Sequence, residues 1–262
     1  MKFAFSTLAC PTWGYKDIVA TAKDLGFDGI EIRGIAGEMY APKMKVFRDN
    51  LEESMAKLES LEIPMLTSNC CVANSENVAE NLAEGRDYID LAEKIGAIFV
   101  RIMPTNSAML DGGDFDLAVD SYGKLCDYAK AKGVTPLIES NGMFANTAVL
   151  NKFMQEVNRT NMGVLWDIHH PYRYNNESIA TTIANIGKYV KYVHIKDSVR
   201  NNDITEYKML GYGDLPLSEA IAELKKIGYA GYITLEWVKR WNPNLEEPGV
   251  VLAHFINKIK TL

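Results

Sequence analysis

The pattern that decides the fold is clearest in residues 134–168, which read VTPLIESNGMFANTAVLNKFMQEVNRTNMGVLWDI. This stretch begins with a short apolar run at Val134–Ser140 and ends with another at Gly163–Ile168. Both runs have the length and the β-branched or aromatic residues that are typical of buried strands. A helical pattern lies between them, so the stretch predicts two parallel strands joined by a helix.

The same unit repeats along the whole chain. Eight runs have strand character, and they are Phe3–Thr7, Gly29–Arg33, Pro64–Asn69, Ile98–Met103, Val134–Ser140, Gly163–Ile168, Tyr189–Lys196 and Tyr232–Trp237. Helical patterns separate the runs, and glycines such as Gly96 and Gly133 stand where a helix should end before the next strand. Eight such units in 262 residues predict an α/β protein, a single (β/α)8 TIM barrel that spans residues 1–262 as one domain. The first strand is not followed by GxGxxG, which removes the main support for a dinucleotide-binding fold.

The composition argues against several classes of protein. Hydrophobic residues make up 47% of the chain, which is too many for intrinsic disorder. The 28 basic and 34 acidic residues give a net charge of −6, without the basic surplus that is typical of nucleic-acid binders. No apolar run approaches the roughly 18 residues that would span a bilayer. We therefore expect a cytoplasmic protein with no nucleic-acid or membrane partner, and the sequence leaves a homo-oligomer open.

Four consecutive predicted strands end with a side chain that can bind a metal ion. These four ligand candidates are Glu139, Asp167, His194 and Glu236. The loops at the carboxyl ends of the strands form the active site of a parallel barrel, so the four side chains should converge there. Three converging carboxylates repel one another unless a cation or protons intervene, and an imidazole with carboxylate oxygens suits a divalent ion. The sequence therefore predicts one bound divalent cation, Mn²⁺, Co²⁺, Mg²⁺ or Zn²⁺.

With these residues, the chain resembles the xylose isomerase-like TIM-barrel superfamily, and especially its sugar phosphate isomerase/epimerase group of ketose 3-epimerases and inosose isomerases. The four ligand candidates stand in the order and strand positions of that group's metal ligands. The resemblance implies that His170, three residues after Asp167, and Arg200, six residues after His194, contact the substrate. The segment Gly211–Asp214 is similar to a glycine-containing loop that precedes the last unit of the barrel in this group.

One position departs from the ketose 3-epimerase pattern. Those enzymes carry an additional Glu six residues after the first ligand, and the corresponding residue here is Ala145. The departure favours inosose-type or other polyol–ketone chemistry over a ketose 3-epimerase. Trp13, in the loop after the first strand, is a further candidate for substrate binding because an indole ring can stack on a sugar face.

The chemistry that suits this site is proton transfer next to a carbonyl. A divalent cation polarises the carbonyl and stabilises an enediolate, while Glu139 and Glu236 exchange protons with the substrate as the catalytic pair. The expected activity is a metal-dependent isomerase or epimerase that acts on a sugar or cyclitol. Two alternatives stay open: a lyase on the same metal site, inosose dehydratase-like or 3-oxo-glycoside-cleaving, and a sugar-binding barrel without activity.

Lesser predictions concern residues around the barrel mouth. We expect Glu31 and Arg33 to form a salt bridge with each other. Asn69 and Arg101 are candidates for contacts with a sugar or a phosphate. The triplet Gly211-Tyr212-Gly213 is expected to form a turn rather than a phosphate-binding loop.

Overall fold

The computed structural model describes residues 1–108, 110, 112–202 and 204–262. The strands are β1 (Lys2–Ser6), β2 (Gly29–Glu31), β3 (Met65–Cys71), β4 (Phe99–Met103), β5 (Thr135–Glu139), β6 (Gly163–Asp167), β7 (Val190–Ile195), β8 (Asp197–Asn201), β9 (Ile204–Lys208) and β10 (Tyr232–Leu235). The helices are α1 (Tyr15–Leu25), α2 (Lys45–Arg48), α3 (Leu51–Ala56), α4 (Val78–Ile95), α5 (Phe115–Ala129), α6 (Thr147–Val157), α7 (His169–Tyr174), α8 (Ile179–Ile186), α9 (Leu217–Lys226) and α10 (Pro248–Ile259). None of these helices is both long enough and apolar enough to cross a membrane.

The barrel strands form one parallel sheet in the order β2-β1-β10-β7-β6-β5-β4-β3. The two ends of this sheet meet through bridges that join Gly29 to Glu62 and Ile32 to Leu66. The backbone N–H of Thr67 also donates to the carbonyl of Ile32 across the same seam, at 3.0 Å. The predicted TIM barrel is therefore confirmed. Each of the eight predicted strands is present, with ends that differ by a few residues.

The strands β8 and β9 were not predicted. They form an antiparallel hairpin outside the barrel sheet, in which Asp197 pairs with Lys208. Only Lys196 separates β8 from the barrel strand β7, and the residues of β8 and β9 are mostly polar, so they lack the apolar runs that mark the barrel strands. The chain turns out of the barrel at this point, and the hairpin then covers one side of its mouth.

The helices cover the outside of the barrel with their apolar faces. In α4, the buried residues include Tyr88, Ala92 and Ile95, which recur at helical spacing on one face. This helix ends at Gly96, whose φ of 76° is left-handed and costs glycine no steric penalty. At the start of α5, the side chain of Asp114 accepts a hydrogen bond from the backbone N–H of Leu117, at 2.9 Å.

A layer of apolar side chains fills the amino-terminal part of the barrel interior. This inner core layer consists of Ala4, Met65, Leu137, Leu165, Tyr192 and Tyr232. Alternate residues of a strand point to the same face, so the residues two positions later also point inwards and lie one step nearer the carboxyl ends. Those residues include Glu139, Asp167 and His194. The inner core layer therefore forms the floor on which the candidate site lies.

Candidate metal centre

The four ligand candidates converge at the carboxyl end of the barrel, and each is buried. Donor atoms of Glu139, Asp167 and His170 all lie within 4.8 Å of one another. Donor atoms of Glu139, His194 and Glu236 form a second group with the same spacing. Glu139 belongs to both groups, so the structure brings together the four side chains that the sequence analysis selected and adds His170 to them.

His194 presents one ring nitrogen to this centre. Its Nε2 atom lies 2.7 Å from Oε2 of Glu31, whereas its buried Nδ1 atom has no hydrogen-bond partner among the described residues. The Nδ1 atom lies 3.5 Å from Oε1 of Glu236. Burial lowers the pKa of His194, but the charges of Glu31 and Glu236 outweigh burial and raise this pKa to about 9. A histidine that ligates a metal is typically held in this way, by a carboxylate on its other nitrogen.

Lys196 lies at the centre, where the sequence analysis expected no lysine. Its buried ammonium group contacts both Oδ2 of Asp167 and Oε2 of Glu236. Burial raises the pKa of Asp167, but His170 and Lys196 outweigh burial and hold it well below the usual value. The signal that could have found Lys196 is its position two residues after His194, because the alternation of β7 continued by one residue directs both side chains inwards.

These residues fit a divalent cation. Three carboxylates and an imidazole are a common set of ligands for such ions, and the Nδ1 atom of His194 is a buried donor without a partner. The ammonium group of Lys196 contacts two of the carboxylates but carries only one positive charge, so the group of carboxylates still attracts a cation.

A cavity of about 380 Å³ opens above the centre. Its lining is rich in side chains that can hydrogen-bond to hydroxyl or carbonyl oxygens, and these include Arg33, Asn69, Arg101, Asn106, Asn141, His170 and Lys196. Glu139 and Glu236 also line the cavity, so both predicted catalytic carboxylates can reach a small molecule bound there. This lining suits a polyhydroxylated ligand better than an apolar one.

His170 connects the centre to the cavity. Its Nε2 atom lies 3.0 Å from Oδ2 of Asp167 and 3.9 Å from Oε1 of Glu139. Its ring stacks on that of Tyr174, with the ring centroids 5.4 Å apart. The structure therefore places His170 where the resemblance implied a substrate contact, while that role remains a prediction.

Residues 19–255 match the sequence model of the family described as "Xylose isomerase-like TIM barrel". The chain belongs to this family. Fructoselysine 3-epimerase of Shigella flexneri is 23% identical over 257 residues, which cover 92% of this chain and 90% of that protein. This xylose isomerase-like barrel is also similar to solved structures that include the IolI protein and the AsbF dehydratase. Their sequence identity is low, so the similarity shows only that the fold is shared. The IolI protein with a bound zinc atom has a TM-score of 0.82 at 18% identity and covers 99% of this chain and 97% of its own. The probable 3-DHS dehydratase AsbF of Bacillus anthracis has a TM-score of 0.81 at 16% identity and covers 99% of both chains.

Arg200 and Trp13 lie away from the cavity of this xylose isomerase-like barrel. The resemblance implied a substrate contact for Arg200, and the sequence suggested one for Trp13. Arg200 is exposed on β8, and its Nη1 atom donates to the backbone carbonyl of Arg173 at 3.0 Å. Trp13 is half-buried in the loop after β1 and packs against the hydrophobic core. Neither is among the described residues that line the cavity, and their contact with a substrate stays a prediction.

The predicted salt bridge between Glu31 and Arg33 is wrong. Glu31 contacts His194, and the Nη2 atom of Arg33 donates to Oδ1 of Asn69. Both side chains point into the barrel because they are two residues apart, but Arg33 lies one step nearer the mouth. Glu31 therefore contacts His194 on β7, and Arg33 contacts Asn69 on β3, instead of contacting each other.

Arg101 and Asn69 line the cavity, as their strand positions suggested. Arg101 also has a partner in the metal centre. Its Nη1 atom lies 3.1 Å from Oε2 of Glu139, and its Nη2 atom donates to the carbonyl of Ser68 at 2.8 Å. Arg101 therefore fixes the position of one of the two predicted catalytic carboxylates.

The predicted turn at Gly211-Tyr212-Gly213 is confirmed, and its N–H groups bind a carboxylate of the chain itself. The backbone N–H groups of Gly211 and Gly213 donate to Oδ2 of Asp197, at 2.8 and 3.0 Å. A Cβ atom on Gly213 would lie 2.0 Å from Oδ1 of Asp197, so the turn requires glycine there. Asp197 thus occupies the position that a bound phosphate would need.

Proposed function

We propose that the protein is a divalent-metal-dependent isomerase or epimerase of a sugar or cyclitol that transfers protons next to a carbonyl. One observation carries this proposal: Glu139 and Glu236 lie within 4.8 Å of the same His194 nitrogen while both line the cavity. Their strands, β5 and β10, are three positions apart around the barrel, so the two carboxylates approach a bound molecule from different sides. The similarity to fructoselysine 3-epimerase supports epimerase chemistry.

The residues that would hold the ion are Glu139, Asp167, His194 and Glu236. When bound, a divalent cation would supply the charge that polarises a carbonyl and stabilises the enediolate. The similar IolI structure contains a zinc atom, and another xylose isomerase-like barrel, from Mycobacterium smegmatis, is in complex with magnesium, which supports a divalent ion as the cofactor. Glu31 would keep the Nδ1 atom of His194 directed at the ion.

Glu236 and Glu139 would move the protons. Burial raises the pKa of Glu236, but Lys196 and His194 outweigh burial and lower it, so this carboxylate is ionised at neutral pH and can accept a proton. Arg101 holds Glu139 in place. If one carboxylate removes the proton and the other returns a proton to the opposite face, the product is an epimer. If one carboxylate moves the proton between neighbouring carbons, the product is an aldose–ketose isomer.

A lyase on the same residues is the second candidate. It is favoured by the buried Ala145, which stands where ketose 3-epimerases carry an additional Glu, and by the structural similarity to the AsbF dehydratase. A lyase also begins by removing a proton next to a carbonyl, but it then expels a neighbouring substituent. The product would be unsaturated and would absorb in the ultraviolet.

The test is proton exchange in D₂O. Protein loaded with Mn²⁺, Co²⁺, Mg²⁺ or Zn²⁺ is incubated with a panel of ketoses and inososes, and deuterium uptake is followed by NMR while ultraviolet absorbance reports elimination. We expect Glu139→Gln and Glu236→Gln to lower the exchange rate by about 100-fold or more. Glu80→Gln, on the exposed face of α4, is the matched control. Sugar binding without exchange in the wild type would overturn the proposal and favour a non-catalytic barrel.

A further inference from the structure

Arg33 is a buried cation that contacts no anionic side chain among the residues that the structure describes. Its side chain lines the cavity and is only 7% exposed. The Nη2 atom donates to the amide oxygen of Asn69, while the buried Nη1 atom has no hydrogen-bond partner in the described part of the chain. Across the part of the chain that the structure describes, no carboxylate forms an ion pair with Arg33. Burying a guanidinium without an anion costs free energy, and an anion bound next to Arg33 would offset that cost.

The other cations of the cavity are already paired. Arg101 contacts Glu139, and Lys196 contacts Asp167 and Glu236. Burial and the repulsion of Arg101 lower the pKa of Arg33 to about 10, so Arg33 is still charged at neutral pH. The cavity wall therefore carries one positive charge that no carboxylate of the described residues contacts.

The surroundings of Arg33 hold its guanidinium in place. The backbone N–H of Arg33 donates to Oγ1 of Thr7 at 2.9 Å, which fixes the residue at the end of β2. The ring of Trp241 lies 6.0 Å from the guanidinium carbon and also lines the cavity. Glu31, two residues earlier, lies deeper in the barrel against His194, so Arg33 faces the part of the cavity nearer the mouth.

We propose that Arg33 binds a carboxylate of the substrate, so that the substrate is a polyhydroxy keto acid rather than a neutral sugar. This inference rests on the proposed function, in which a carbonyl of the substrate reacts near Glu139 and Glu236. It adds a carboxylate that Arg33 binds at the other end of the substrate. A carboxylate accepts two hydrogen bonds from a guanidinium in one plane and brings a negative charge into contact with Arg33, which contacts no carboxylate among the described residues. A phosphate monoester would bring up to two charges and leave one of them without a partner.

The test compares ligands that differ only in the charged group. Binding of D-gluconate, of the neutral D-glucitol and of D-glucitol 6-phosphate is measured by isothermal titration calorimetry on chelator-treated, metal-free protein, so that no carboxylate can bind through an ion. We expect gluconate to bind at least about 10-fold more tightly than glucitol, because a charge-assisted bond in a buried site is strong. Arg33→Gln should abolish this preference, Arg33→Lys should retain part of it, and Arg86→Gln, on the exposed face of α4, should leave it unchanged.

Four results would overturn the inference. Equal binding of gluconate and glucitol by the wild type would show that no carboxylate is recognised, and this comparison needs no variant. A preference that survives Arg33→Gln would place the anion elsewhere. Tighter binding of the phosphate ester than of gluconate would refute the choice of a carboxylate. Deuterium exchange of neutral ketoses but not of keto acids would refute this inference alone, whereas the absence of exchange from both classes would refute the proposed function.

Discussion

Oε2 of Glu31 and Nε2 of His194 lie 2.7 Å apart inside the barrel, although the two residues are 163 positions apart in the sequence. This contact fixes the ring of His194 so that its Nδ1 atom faces Glu236. Both residues are fully buried, so the ring has no alternative partner in solvent. Glu31 therefore supports the candidate metal centre without being one of its predicted ligands.

Replacement of Glu31 tests this support. We expect Glu31→Gln to weaken Mn²⁺ or Zn²⁺ binding by about 10- to 100-fold, which is the usual effect of losing a carboxylate behind a ligating histidine. Calorimetric titration of the metal-free protein measures the change. Glu62→Gln removes a carboxylate at the opposite end of the barrel, where Glu62 contacts Lys2, and it should leave metal affinity unchanged. Equal affinities of the wild type and Glu31→Gln would show that the contact does not orient a ligand.

Lys196 should compete with a divalent cation for the same carboxylates. We expect Lys196→Met to bind Mn²⁺ about 10-fold more tightly, because the variant no longer holds a positive charge between Asp167 and Glu236. The metal-free variant should also melt at a lower temperature than the metal-free wild type, since two buried carboxylates lose their counter-ion. Lys94→Met, on the exposed side of α4, is the control for loss of a lysine. Weaker metal binding by Lys196→Met would contradict the competition.

Asp197 should matter for stability because its buried carboxylate organises the loop before α9. Each oxygen accepts two backbone hydrogen bonds, from Ser198 and Leu215 on Oδ1 and from Gly211 and Gly213 on Oδ2. Asp197→Asn replaces one acceptor by a donor that faces these N–H groups, and we expect a loss of about 1–3 kcal/mol in the free energy of unfolding.

Urea unfolding measures this loss. The control is Asp24→Asn, at an exposed position of α1, which should change the free energy of unfolding by less than about 0.5 kcal/mol. A neutral effect of Asp197→Asn would mean that the turn forms without the carboxylate.

The inner core layer should carry a large share of the stability. Leu165 is fully buried and lies directly below Asp167 on β6, so Leu165→Ala should leave a cavity in the barrel interior and cost about 2–5 kcal/mol. Val250→Ala, at a position 56% exposed on α10, should cost much less. Chemical denaturation compares the two variants, and similar costs would show that the layer is not tightly packed.

The sequence determined the barrel because its evidence is local. Each strand has its own apolar run, and glycines such as Gly96 end a helix shortly before the next strand begins. Each of the eight barrel strands could therefore be predicted without knowledge of its neighbours. The choice of Glu139, Asp167, His194 and Glu236 followed from the same local pattern, since each stands at or next to the carboxyl end of its own strand. The hairpin of β8 and β9 was missed because its residues are mostly polar and form no apolar run.

Only the tertiary structure decided which of the inward-pointing side chains meet. The sequence predicted a pair of Glu31 and Arg33, two residues apart, whereas the folded chain pairs Glu31 with His194 on a strand that is not its neighbour in the sheet. In a barrel, the stagger between strands determines which residues lie at the same height, and that stagger arises from packing around the whole ring. The sequence therefore determined the strands and the chemical types at their ends, while barrel closure placed Lys196 between two carboxylates and left Arg33 without an anion.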